Sequence, residues 1–126
     1  MGVVGLGVDL VELSRVRTAL SRWGDRLVRK LMSAGEAARL PDEAEARARA
    51  LARAIVAKEA ASKAIGTGWS RGVRWRDVIL EPGEPPRVRL GGRARVVARA
   101  LGADGATEAR LQERGDLVLG EVRLLA

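Results

Sequence analysis

The sequence predicts an α+β fold in which an antiparallel sheet packs against a long helix. Three observations lead there. Residues 42–65 form one uninterrupted helical stretch, an apolar run with two glycines opens the chain at residues 3–8, and the last third alternates β-rich runs with turn signals. At 126 residues, a single domain spanning 1–126 is expected.

The run VVGLGV at 3–8 reads as a buried strand ending at Asp9. A helix is expected over residues 14–31, because Leu13, Val16, Leu20, Trp23 and Leu27 recur at three- and four-residue spacing. Its remaining faces carry Arg15, Arg17, Arg22, Arg26, Arg29 and Lys30 against the single acid Asp25. Ser33 and Glu36 match a capping box for a short helix through about Leu40, which Pro41 stops. Asp42 and Glu45 repeat the signature and open the long helix, which runs to about Ile65 with Gly66 as its C-terminal cap. Beyond it, strands are expected at 73–75, 78–80 and 88–90, with a turn at 83–86. Residues 93–101 read as a helix, and 106–111 and 117–124 as strands joined by the turn 113–116.

Composition narrows the function. Hydrophobic residues make up 47% of the chain, yet Phe and Tyr are absent and Trp occurs three times, so the core must be built from Ala, Val, Leu and Ile. Such side chains each bury less area than aromatics do, which favours an oligomer. With no Cys and no His, disulfides, thiolate metal sites and imidazole chemistry are excluded, and any metal must be a hard cation such as Mg2+ on oxygen ligands. No apolar run reaches about 18 residues and no signal peptide is visible, so a soluble, cytoplasmic protein without membrane association is expected. The net charge of +7 calls for an acidic partner or a phosphate-rich ligand. Scarce aromatics argue against single-stranded nucleic acid.

The long helix holds the main anomaly. At about 100° per residue, Leu51, Ile55 and Val56 define an apolar arc, and Glu59 and Lys63 fall between the directions of the last two. They are four apart and so share a face. Either the helix emerges into solvent there, or charge is placed for use. Only three of the 23 basic residues are lysines (Lys30, Lys58 and Lys63), and two of these lie in AKEAASK. Unlike Arg, a buried Lys can release its proton.

The stretch AIVAKEAASKAIGTG at 54–68 resembles a signature of holo-acyl-carrier-protein synthases, members of the 4'-phosphopantetheinyl transferase superfamily. GLGVDLVELSRV at 5–16 resembles that family's first signature, while LMSAGEAARL at 31–40 and WRDVILEPGEPPRVRLGG at 75–92 resemble the segments around the second. The resemblance implies the phosphopantetheinyl transferase fold, a homotrimer with a site at each subunit boundary, and transfer of 4'-phosphopantetheine from coenzyme A to a serine of apo acyl carrier protein, releasing 3',5'-ADP. It implies that Asp9 and Glu59 ligate Mg2+, that Glu59 also orients or deprotonates a water, and that Lys63 contacts phosphate and assists the leaving group. Ser62, Gly66, Thr67 and Gly68 would offer hydroxyl and backbone donors to coenzyme A, although a Gly-Thr-Gly also suits a helix cap. Arg15 and Arg22 would dock the acidic carrier protein; a solvated basic face is the plainer reading of the same residues.

The chain departs from the family near its C-terminus. In EARLQE at 108–113, Glu108 and Glu113 stand where histidines are expected and Arg110 where a serine is, so two acids would face the nucleotide's phosphates. Ile55 replaces an aromatic, and Arg53 is one position out of step. Two alternatives follow: a catalytically weak relative that still binds a carrier, or a small basic nucleic-acid-binding protein.

Overall fold

The structure, a computed structural model, describes residues 2–126. The elements run β1 (Val3–Glu12), α1 (Leu13–Trp23), α2 (Asp25–Leu31), α3 (Ala34–Ala38), α4 (Ala44–Ala64), β2 (Val78–Glu81), β3 (Arg87–Leu90), α5 (Gly92–Ala100), β4 (Thr107–Arg114) and β5 (Leu117–Leu125). Strands β1, β5 and β4 form an antiparallel sheet in that order, and β2 and β3 form an antiparallel ribbon. The α+β class with a long helix on an antiparallel sheet is as expected.

Strand alternation decides which side of the sheet is covered. On β5, Val118, Gly120, Val122 and Leu124 are buried while their neighbours are partly open. On β1, Gly7 is buried and Leu6, Val8 and Leu10 are more than half exposed. Helix α4 lies on the covered side. Its approach is close because both partners lack bulk: α4 buries Ala57, Ala60, Ala61 and Ala64 there, and β1 presents glycines. A Cβ on Gly7 would lie 1.8 Å from the Ala60 carbonyl oxygen, and one on Gly5 2.3 Å from that of Ala64. A core without Phe or Tyr is thus packed by bringing backbones together. The remaining buried apolar residues are Val, Leu, Ile and Ala, apart from Met32.

One charge lies inside. Lys58 is fully buried, and its Nζ donates to Glu36 Oε1 at 2.9 Å, to the Trp75 carbonyl at 2.9 Å and to the Val78 carbonyl. Glu36 accepts in turn from the backbone N–H of Ser33 at 3.0 Å and of Leu80 at 3.3 Å. A buried ammonium is tolerable only with such a full set of acceptors. Burial still pushes the Lys58 pKa below the ordinary lysine value, with Glu36 opposing the shift. The network ties α3, the 75–80 segment and α4 together.

Several expectations need correction. The helix over 14–31 is two helices, because Gly24 adopts φ 53° and separates α1 from α2. Trp23 consequently leaves the apolar face: it is 46% exposed, with the guanidiniums of Arg22 and Arg26 5.1 and 5.8 Å from its ring centre. The cap of α4 is Glu43 rather than Asp42, its carboxylate accepting from the N–H groups of Glu45 and Ala46 at 3.1 and 2.7 Å. Residues 73–75 form no strand; a single 3-10 turn, Trp75–Asp77, leads into β2 instead. The last hairpin is tighter than expected, since Arg114 pairs with Leu117 and only Gly115 and Asp116 form the loop. The capping box of Ser33 and Glu36 forms as expected, and Gly66 follows α4 at φ 81°, the conformation of a C-terminal glycine cap.

Candidate active site

The close crossing of β1 over α4 brings the first candidate residues together. Positions 5, 7 and 9 share the covered side of β1, so Asp9 follows the two glycines towards α4. Lys63, on the last turn of α4, donates to Asp9 Oδ1 at 3.0 Å and to the Val8 carbonyl at 3.2 Å. Its side chain is 51% exposed, against 22% for that of Asp9, so the pair sits at a surface and can be reached by a ligand. Glu59 lies one turn before Lys63 on the same helix face. It is partly exposed, and among the described residues its carboxylate enters no ion pair. The helix does open towards solvent along this stripe, since Ile55 is only partly buried while Leu51 and Val56 are fully buried. The stripe is therefore accessible charge beside an acidic partner from another element, rather than buried charge.

The residues at the C-terminal end of α4 and just beyond it are tied to the chain's own backbone. Ser62 is 1% exposed, and its hydroxyl proton goes to the Glu59 carbonyl at 2.7 Å. The N–H of Gly66 bonds to the Lys63 carbonyl at 3.0 Å and that of Gly68 to the Ser62 carbonyl at 3.1 Å. Thr67 Oγ1 donates to the Gly68 carbonyl at 2.8 Å. These donors close the C-terminal end of α4. They hold the turn that carries Lys63.

Arg15 and Arg22 are both exposed on α1. Arg17, from the same helix, is instead committed to Glu45 of α4 at 2.7 Å, with Asp116 at 3.8 Å. On β4, Glu108 and Glu113 are five apart and therefore point to opposite sides of the sheet. Arg49 takes up Glu113 at 3.4 Å, while Glu108 stands opposite Arg123 in the register of β5. The two acids do not face one site together, contrary to expectation.

Sequence reasoning gave Lys58 no role. A signal was present: Leu51, Ala54, Lys58, Ala61 and Ile65 follow helical spacing, and Lys58 is the only polar residue in that stripe.

Among the described residues, no group of three or more acidic ligands could by itself hold a metal. A donor set made of Asp9 and Glu59 would be oxygen only. It fits a hard cation such as Mg2+ completed by waters and substrate oxygens, and does not fit an all-protein cage. No described helix is long and apolar enough to cross a membrane.

Comparison with known proteins gives the family. A family model described as the 4'-phosphopantetheinyl transferase superfamily matches residues 5–113. The holo-[acyl-carrier-protein] synthase of Alkalilimnicola ehrlichii is 45% identical over 105 residues, covering 82% of either chain. That of Acidithiobacillus ferrooxidans is 43% identical over 102 residues, covering 79% of either chain. In structure, the holo-[acyl-carrier-protein] synthase of Neisseria meningitidis superposes with a TM-score of 0.86 over 99% of this chain and 100% of its own, at 23% identity. The Helicobacter pylori protein, solved in complex with coenzyme A, gives 0.78 over 94% and 98%, at 17% identity. The chain belongs to the 4'-phosphopantetheinyl transferase superfamily. It is an enzyme, a transferase of 4'-phosphopantetheine.

Proposed function

We propose that the enzyme, a single domain over residues 1–126, moves 4'-phosphopantetheine from coenzyme A onto a serine of apo acyl carrier protein in the cytoplasm, releasing 3',5'-ADP, at a site built from Asp9, Glu59 and Lys63. The observation that carries this is the 3.0 Å pairing of Lys63 with Asp9 across the β1–α4 crossing, with Glu59 one turn away on the same face. An ammonium and two carboxylates from different elements form a surface made to grip a diphosphate and a cation together. Solved relatives from Helicobacter pylori and Bacillus anthracis are complexes with coenzyme A or its 3',5'-ADP part, which supports that substrate here.

Asp9 and Glu59 would hold Mg2+, which when bound supplies positive charge beside the phosphate oxygens. Glu59 accepts the proton of the carrier serine through a water. The serine oxygen then forms its bond to the pantetheine-side phosphorus as the bond from that phosphorus to the bridging oxygen breaks. Lys63 turns its ammonium from Asp9 to the bridging oxygen, where negative charge develops. Arg15 and Arg22 dock the acidic carrier: both are exposed on α1, and Arg15 is in no ion pair among the described residues.

We place three chains around each set of sites. The uncovered side of the main sheet presents Leu6, Val8 and Leu10, each 54–56% exposed, beside Leu119 of β5. An apolar strand face of this kind needs a partner, and a second copy supplies one.

Intact-mass spectrometry of an apo carrier protein, incubated with the enzyme, coenzyme A and Mg2+, tests the reaction. The expected result is a mass gain equal to the phosphopantetheine arm, slowed about 10²–10⁴-fold in Glu59→Gln while the oligomer persists. No gain with carrier binding intact would mark a relative that binds without catalysis.

A further inference from the structure

Positive charge is not spread evenly along the chain. Residues 85–103 carry Arg87, Arg89, Arg93, Arg95 and Arg99 and no acid. The proposed transfer uses none of these arginines. The fold gathers three of them: Arg89 from β3 and Arg95 and Arg99 from α5 line a cavity of about 300 Å³, closed on its other side by residues 103–107. Arg95 and Arg99 are four apart and share a face of α5.

The charges around this cavity are poorly balanced from within. Arg89 reaches Glu81 only at 3.7 Å, and Arg95 and Arg99 enter no ion pair among the described residues. The single acid in the lining is Asp104, and its Oδ1 already accepts from the Ala106 N–H at 2.8 Å. The Thr107 hydroxyl is spent on Val88, donating to its carbonyl at 2.7 Å and accepting from its N–H at 3.2 Å. The floor is apolar, with Ala98, Ala103 and Leu124 buried. Like charges around a concavity with low-dielectric walls focus a positive potential into it. Guanidinium forks match phosphate oxygens two at a time.

We propose that this cavity is a second ligand site, taking a small molecule with one phosphate group. Its lining shares no residue with Asp9, Glu59 and Lys63. The volume lies at the lower end of the ~300–1,000 Å³ of ligand pockets, which admits a phosphate with a small substituent and excludes coenzyme A.

The test is an isothermal titration of the full-length protein with inorganic phosphate at constant ionic strength set by chloride. It is run on wild type, Lys63→Ala, Arg15→Ala and the double variant Arg95→Ala/Arg99→Ala. We expect a saturable site at one per chain in the first three proteins, weakened about tenfold or more in the double variant, whose phosphopantetheine transfer is unchanged. Arg95→Gln and Arg99→Gln, measured singly, serve if the double variant does not fold, and each is expected to weaken phosphate. Equal affinity in wild type and the arginine variants, or a heat that vanishes against matched chloride, overturns the proposal. Loss of the site in Lys63→Ala alone also overturns it, by placing the phosphate at the transfer site.

Discussion

Lys58 and Lys63 stand about 140° apart around α4 and meet opposite surroundings. Lys63 is half exposed and holds Asp9, while Lys58 is sealed in with Glu36 and two backbone carbonyls. The proposed role of Lys63 was open to sequence reading because its neighbours, Glu59 and the turn at 66–68, lie close to it along the chain. Lys58's partners come from residues 36, 75 and 78, and only the folded chain brings them within reach. Breaking a buried pair from one end leaves an uncompensated charge. Lys58→Met should therefore lower unfolding free energy by about 3–5 kcal/mol in urea titrations, and adding Glu36→Gln should restore part of that loss. Additive losses in the double variant would show that the two groups do not act as a pair.

The crossing of β1 and α4 sets the separation of Asp9 from Lys63. Gly7 makes it possible, since a Cβ there would meet the backbone of Ala60 and Ala64 at 1.8 and 2.7 Å. Backbone cannot swing aside as a side chain can. Gly7→Ala should push the strand off the helix, cost about 1–3 kcal/mol in urea titrations and depress transfer in a protein that still folds. Unchanged activity would show that the spacing is not critical. A second tie joins α1 to α4 through Arg17 and Glu45. The hydrogen bond from Arg17 holds the Glu45 carboxyl below the ordinary value of 4.5, aided by the charges of Arg17 and Arg49. A depressed folded value means that this support is present above pH 4.5 and is lost as pH falls through the folded value. Arg17→Met should flatten the stability-against-pH curve in that acidic window, as followed by circular dichroism.

Most helices and strands were readable in sequence, as with the Ser33–Glu36 box, although the short run at 73–75 forms no strand. The reading failed where two signals competed. Gly24 broke a periodic stretch that otherwise continued to Leu31, and Glu43, unfavoured as a cap type, took the capping place from Asp42.

For the molecule as a whole, the absence of Phe and Tyr pointed to burial beyond one chain. The structure adds where that burial would fall: on Leu6, Val8 and Leu10, the side of β1 turned from α4. Sequence alone marked this strand as buried throughout, because an apolar run does not reveal whether its second side meets the same chain or another. Val8→Glu should place three like charges into the assembly and reduce it to monomers in sedimentation analysis, with transfer falling in parallel. A trimer of undiminished stability would move the interface elsewhere.

Asp9 and Glu59 are proposed to hold one cation beside Lys63. Electron paramagnetic resonance of Mn2+, standing in for Mg2+, measures this directly in the presence of coenzyme A. One bound ion per chain is expected in the wild type and in Arg15→Ala, and no bound ion in Asp9→Asn or Glu59→Gln. Equal Mn2+ binding in all four proteins would show that Asp9 and Glu59 do not hold the cation.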